Sequence, residues 1–188
     1  MPHIHLARAL SGAILDIGGG GEGVVGRLYG RGVTAIDNRQ EELDEAPDCC
    51  EKRLMDATAL EFEDDSFDAA TCFYSLMYMS RETKRRALAE AARVLRPGGR
   101  LYIWDAAFSD AWPEPFVVHL DIEADNFSLS VDYGVAGEDL AQDAGLLVAL
   151  ATEAGLASIE QTISEGQLYL MLRKARPCSK IEAYHGKL

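Results

Sequence analysis

Apolar positions along this chain repeat in two rhythms that alternate. Ala13 to Ile17 is a short apolar run stopped by glycine, which predicts a buried strand. Helical residues resume around Glu22 to Tyr29, and Val33 to Ile36 is a second β-branched run that ends at Asp37. A short helix is expected over Gln40 to Glu45, broken by Pro47. Lys52 to Met55 and Phe67 to Phe73 read as a third and a fourth strand, the latter introduced by the polar turn Glu63-Asp64-Asp65-Ser66. The strongest helix follows. Ser80 is placed to cap it, Ala87, Leu88, Ala91, Val94 and Leu95 recur at helical spacing, and Pro97-Gly98-Gly99 stops it. Leu101 to Trp104 is then a fifth strand.

Beyond Asp105 the rhythm changes. Phe116 to Glu123 and Phe127 to Tyr133 read as two strands joined by Ala124-Asp125-Asn126, followed by a helix from about Glu138 to Ala154. Ala157 to Ile163 and Gln167 to Arg173 alternate and are joined by Ser164-Glu165-Gly166, short enough for a hairpin. Strands separated by helices require crossover connections. The expected fold is therefore α/β: a doubly wound, Rossmann-like, mostly parallel sheet with helices on both faces, a C-terminal antiparallel hairpin and a β insertion after the fifth strand. A single domain is expected over residues 1–175, with 106–137 as a lid or a dimer-forming insertion and 176–188 as a tail. Within the insertion, Trp112, Phe116 and Phe127 are candidates for an apolar lid; burial against a second subunit, giving a homodimer, is the alternative.

Charge and cysteine content narrow the function classes. Lys and Arg number 18 against 31 Asp and Glu, a formal charge of −13, which disfavours nucleic acid. The basic run Arg81, Lys84, Arg85 and Arg86 reads as a solvated helix face. No apolar stretch reaches the roughly 20 residues of a membrane span, and Met1 to His5 lacks the features of a secretory signal, so a cytoplasmic protein without membrane partners is expected. Cys49, Cys50, Cys72 and Cys178 show no C-x-x-C spacing and read as reduced structural thiols. His3 and His5 read as incidental, so no metal site is expected.

The chemistry concentrates at Ile14 to Gly23, "ILDIGGGGEG", where the first strand turns into its helix, the position at which parallel sheets bind ligands. Gly18, Gly20 and Gly23 satisfy G-x-G-x-x-G, and Asp37 lies roughly 20 residues on, where a carboxylate meets ribose hydroxyls. Both features suit a dinucleotide and S-adenosylmethionine alike. Asp16 separates the two: a carboxylate at the end of the first strand repels a pyrophosphate and attracts an ammonium. The bland alternative is that Asp16 ties down the loop by hydrogen bonds.

With "VTAIDNR" at 33–39, "MDATALEFEDDSFDAATCFYSLMYM" at 55–79 and "AARVLRPGGRLYIWD" at 91–105, the glycine segment makes the chain resemble class I S-adenosylmethionine-dependent methyltransferases, especially the small type-11-like group. The resemblance covers about Ala13 to Tyr102. It implies an enzyme in which Asp16 and the backbone of Gly18, Gly19 and Gly20 hold the methionine part. Asp37 and Asn38 then take the ribose, Asp56 and Ala57 the adenine, and Phe73 passes near the methionine end. The family pattern D-x-G-x-G-x-G has glycine where this chain has Glu22, which is expected to serve the helix dipole.

Methyl transfer from a sulfonium depends chiefly on positioning, and no catalytic base is signalled. After the fourth strand, where the chain reads Phe73-Tyr74-Ser75-Leu76, it has neither the N-P-P-Y or D-P-P-Y run nor the Pro-Cys pair of base methylation, so base methylation loses support and a small-molecule acceptor is expected. Tyr74, Met77, Tyr78, Trp104 and Asp105 are the candidates for its pocket, with core packing as the competing role of the Tyr and Met residues. Two rival functions are a nicotinamide-dependent oxidoreductase and a non-catalytic S-adenosylmethionine-binding sensor or complex subunit.

Overall fold

A computed structural model describes residues 3–6, 10–109, 111 and 113–176. Trp112, Cys178, the tail after Arg176 and the side chains of His3 and His5 lie outside the described residues. The elements in order are β1 (His3–Leu6), β2 (Ile14–Ile17), α1 (Val24–Tyr29), β3 (Val33–Asp37), α2 (Gln40–Glu45), β4 (Glu51–Leu54), β5 (Phe67–Phe73) and α3 (Arg81–Val94). They continue with β6 (Leu95–Ala106), β7 (Phe116–Ala124), β8 (Phe127–Val135), α4 (Ala144–Glu153), β9 (Leu156–Ser164) and β10 (Gln167–Lys174).

Seven strands form the main sheet in the order β4-β3-β2-β5-β6-β10-β9. The pairs from β4 through to β6 are parallel, and β10 enters antiparallel between β6 and β9. The strand order reverses direction between β2 and β5, and the crevice at that switch point lies at the carboxyl ends of both strands. β5 alternates inward on both faces: Ala70 and Cys72 pack with Leu88, Ala91 and Ala92 of α3 and with Leu147 and Leu150 of α4. Ala69 and Phe73 point the other way, into a second cluster with Val24, Val25 and Leu28 of α1. Ser80 caps α3 by accepting from the Thr83 N–H at 3.2 Å, as its sequence position predicts.

Helices do not cover both faces throughout. On the second face the neighbour of α1 is a three-stranded sheet, β1-β7-β8, whose Leu6, Val118, Leu120, Ile122 and Val135 turn into that cluster. The insertion therefore buries its apolar side against its own chain. It does so with the help of β1, a strand that no sequence pattern announced, paired parallel to β7 from His3↔Asp121 to Leu6↔Ala124.

The helix expected from about Glu138 begins only at Ala144, because Asp143 caps it by accepting from the Leu146 N–H at 2.7 Å. The preceding Gln142 is held in a bridge to Phe108. β6 starts directly at the end of α3 and runs through Pro97-Gly98-Gly99, which sit in an irregularity of its pairing with β5 between Phe67↔Leu95 and Ala69↔Arg100. No described helix is long and apolar enough to cross a membrane.

Candidate functional site

The crevice above β2 is a cleft of about 790 Å³. Asp16, Gly18, Gly19, Gly20, Asp37, Asn38, Asp56, Ala57 and Phe73 all lie on its wall. Asp16 forms the floor. Its side chain is 2% exposed, and Oδ1 accepts from the Thr71 hydroxyl at 2.6 Å. Burial pushes its pKa up to about 7, opposed by the Thr71 hydrogen bond and reinforced by the charge of Asp37.

The glycine loop is threaded between these carboxylates. Gly18 adopts φ 73°, a conformation that side chains disfavour. A Cβ at Gly19 would stand 2.5 Å from Asp16 Oδ2 and 2.9 Å from the Ala35 Cβ, so the chain passes there only without a side chain. The N–H groups of Gly18 and Gly19 both donate to the Ile36 carbonyl, at 2.9 and 3.0 Å, and that of Gly21 to the Glu42 carbonyl at 2.8 Å. These three donors are spent inside the fold, and the Gly20 and Glu22 carbonyls are taken in turn by the Gly23 N–H at 3.2 Å and by Arg27 Nε at 2.6 Å.

Further out, the Asp37 carboxylate accepts from the Arg39 N–H at 3.0 Å, which orients it at the end of β3. Asp56 accepts from the Thr58 N–H at 2.7 Å, and that bond holds its carboxyl below the usual carboxylate range. Among the described residues Arg39 is the one cationic side chain on the wall, and it is paired with Glu42 at 2.9 Å. Glu22 lies outside α1, whose cap is Gly23 and whose first turn holds no acid, so the expected helix-dipole role does not apply. Instead its Oε2 accepts from the Tyr133 hydroxyl at 3.1 Å.

The five acceptor-pocket candidates separate. Tyr74 and Tyr78 line the cleft. Met77 is fully buried in the core cluster of α1 and the small sheet, away from the wall. Trp104 stacks on Tyr102 and tilts against Tyr169 on the face of β6 and β10. Asp105 is buried and already saturated. It accepts from the N–H groups of Leu76 at 3.0 Å, Met77 at 3.2 Å and Ala106 at 2.8 Å, and from Gln142 Nε2 at 2.6 Å. It is a clamp on the loop after β5 and not a base facing the cleft.

Of the proposed lid, Phe116 stacks on Phe108 and Phe127 lies against Arg27, both off the wall. The insertion reaches the cleft through Asp132, Tyr133 and Gly134 instead, with the Tyr133 ring stacked on Tyr74 at 5.2 Å. The sequence reading gave Asp132, Tyr133 and Gly134 no place here and assigned Glu22 to the helix dipole, because the contact joins residues 111 positions apart and leaves no local signal.

Two buried carboxylates with raised pKa values give a pH signature to the ligand-free protein. Burial pushes Asp105, like Asp16, up to about 7 from 3.8. Below the unfolded value both states are protonated and the protonated fold is favoured. Between that value and 7 the folded chain retains protons the unfolded chain has released, so stability falls as pH rises. The loss is at most about 1.4 kcal/mol per pH unit per carboxylate. Thermal melts from about pH 5 to about pH 7 are expected to show a declining midpoint that levels off above. The carboxyls held low, Asp48, Asp56, Asp68, Glu82 and Glu90, lose their contribution only below that window.

Residues 15–103 match the family model of a methyltransferase domain. The chain is 36% identical over 143 residues to the ubiquinone/menaquinone biosynthesis C-methyltransferase UbiE of Paracoccus denitrificans, covering 69% of this chain and 54% of that protein. It is 32% identical over 123 residues to the O-methyltransferase cnsE of Penicillium expansum, covering 59% of this chain and 44% of that one. The chain thus spans about half the length of these relatives or less. Among solved structures, a methyltransferase of Methanosarcina mazei superposes with a TM-score of 0.64 at 21% identity, over 89% of this chain and 95% of that one. A Haloferax volcanii methyltransferase in complex with its Trm112 activator gives 0.65 at 18% identity, over 90% and 85%. At such identities these two likenesses speak for the fold.

Proposed function

Through residues 15–103 the chain belongs to the methyltransferase-domain family of class I S-adenosylmethionine-dependent methyltransferases, and from that premise we propose that it binds S-adenosylmethionine in this cleft and methylates a small-molecule acceptor. The observation that carries the proposal is the charge of the wall. Asp16, Asp37 and Asp56 stand in one crevice whose single cation among the described residues is paired with Glu42. The glycine loop adds a cradle that a Cβ at Gly19 would fill. This suits a guest carrying an ammonium and a sulfonium and disfavours a diphosphate, so a dinucleotide is the poorer fit.

In the proposed site Asp16 and the backbone of Gly18, Gly19 and Gly20 hold the methionine part, Asp37 and Asn38 receive the ribose hydroxyls, and Asp56 and Ala57 meet the adenine edge. Phe73 bounds the methionine end. The bound group supplies an electrophilic methyl carbon on a positively charged sulfur. The chain's own contribution is to orient that carbon and to exclude water, for which the stacked Tyr74 and Tyr133 rings form a wall. The C- and O-methyltransferase names of the relatives support an acceptor that is a small molecule.

Calorimetric titration of the purified chain tests the proposal. S-adenosylmethionine is expected to bind with micromolar affinity and NADH at least about a hundredfold more weakly. Measurable NADH binding without S-adenosylmethionine binding would overturn it.

A further inference from the structure

The nine wall residues assigned above to the donor leave a second region of the same cleft, edged by Glu22, Tyr74, Ser75, Tyr78, Asp132 and Tyr133. Three of these are tyrosines and two are carboxylates, and the cleft's one cation among the described residues, Arg39, sits with Glu42 beside the ribose end. Tyr133 lies over Tyr74 with ring centroids 5.2 Å apart and planes 15° from parallel, and Phe73 meets Tyr74 edge-on at 5.1 Å. The Tyr74 hydroxyl is turned away to Gln167 and its ring is buried beneath Tyr133, so the aromatic surface open to the cleft is that of the half-buried Tyr133 and the exposed Tyr78. The Tyr133 hydroxyl donates to Glu22 Oε2 at 3.1 Å, which fixes a carboxylate at the margin of this aromatic wall.

Aromatic rings beside a carboxylate recognise cationic nitrogen: the ring faces attract the charge and the carboxylate accepts its N–H bonds. A carboxylate or phosphate guest would meet only like charge and hydroxyls here. Resting on the donor assignment of the previous subsection, we propose that this second region binds the methyl acceptor and that the acceptor is an amine, held as its ammonium by Glu22 and by the rings of Tyr78 and of Tyr133, the latter backed by Tyr74. Glu22 then also takes the proton that the nitrogen must shed to expose its lone pair. In the transfer the lone pair forms the new N–C bond, the C–S bond breaks with its electron pair left on sulfur, and the displaced proton resides on Glu22.

The test uses three probes that share one phenyl ring: phenethylamine, 4-ethylphenol and 3-phenylpropionate. Each is titrated calorimetrically into the full chain, with and without saturating S-adenosylhomocysteine. Phenethylamine is expected to bind the loaded protein about tenfold or more tightly than either other probe, and Glu22→Gln to reduce that advantage to about threefold or less. A salt series on the unmodified chain reads the same charge without a substitution. From about 20 mM to about 500 mM salt, phenethylamine affinity is expected to fall severalfold while 4-ethylphenol affinity holds. Equal or weaker amine binding, no amine binding, an advantage that survives Glu22→Gln, or a salt-insensitive amine overturns the proposal. Failure of S-adenosylhomocysteine to bind would instead count against the donor assignment, and the arms run without it still read the acceptor region.

Discussion

Asp16→Asn is expected to lower the affinity for S-adenosylmethionine by roughly 30- to 1000-fold while leaving the fold intact. The carboxylate is 2% exposed, so an ammonium bound to it loses a desolvated, hydrogen-bonded partner, a change worth about 2–4 kcal/mol. Asparagine is close in shape and can still accept from the Thr71 hydroxyl, which now bonds Oδ1 at 2.6 Å. It also removes a charge that the fold buries at a cost, so the ligand-free variant is expected to melt at or above the temperature of the unmodified chain near neutral pH. Calorimetry beside a thermal melt separates the two quantities. Unchanged affinity in a folded Asp16→Asn protein would remove the basis of the proposed donor site.

The same group predicts a pH dependence of binding. With its pKa pushed up to about 7 by burial, the unliganded Asp16 is largely protonated at pH 6 and must lose that proton to pair with the ammonium. Affinity is therefore expected to drop about tenfold from pH 8 to pH 6, and Asp16→Asn to abolish that drop. The direction is opposite to what a phosphate guest would show, since deprotonation of Asp16 would only repel it.

Much of the main sheet was legible because burial on both faces leaves continuous apolar runs such as Ile14 to Ile17 and Phe67 to Phe73. The carboxyl ends of those strands hold the nine expected donor residues, and local sequence brings all of them to one cleft. What the sequence concealed are contacts made by tertiary closure. β1 exists because β7 offers it an edge, and Tyr133 meets Glu22 only after the insertion folds back over α1. Asp105 and Met77 were misplaced for a simpler reason. A residue just past a strand can turn to either side, and the turn after β5 drives Met77 into the core and draws its backbone, with that of Leu76, onto Asp105.

That clamp carries the largest expected effect on stability. Asp105→Ala strips the acceptor from three backbone N–H groups and from the Gln142 side chain at once, all in a buried setting. Each unsatisfied donor costs about 1–3 kcal/mol, and with partial rescue by water the loss is expected to be about 4 kcal/mol or more, measured by denaturant unfolding. Asp105→Asn is expected to cost less than Asp105→Ala. Its remaining oxygen can still accept from the Leu76 and Met77 N–H groups, and the cost left is that of an amide nitrogen facing the Ala106 N–H and Gln142 Nε2, the latter also held by the Ala106 carbonyl at 2.9 Å. The buried Lys84 holds the same loop from beyond Tyr78, donating to the Met79 and Leu140 carbonyls at 2.8 and 3.0 Å. Because Ser75, Tyr78, Met79 and Ser80 line the cleft from this loop, Asp105→Ala is expected to weaken acceptor-probe binding more than S-adenosylhomocysteine binding. A loss spread equally over both ligands would show that the clamp supports the domain as a whole and not the acceptor end in particular.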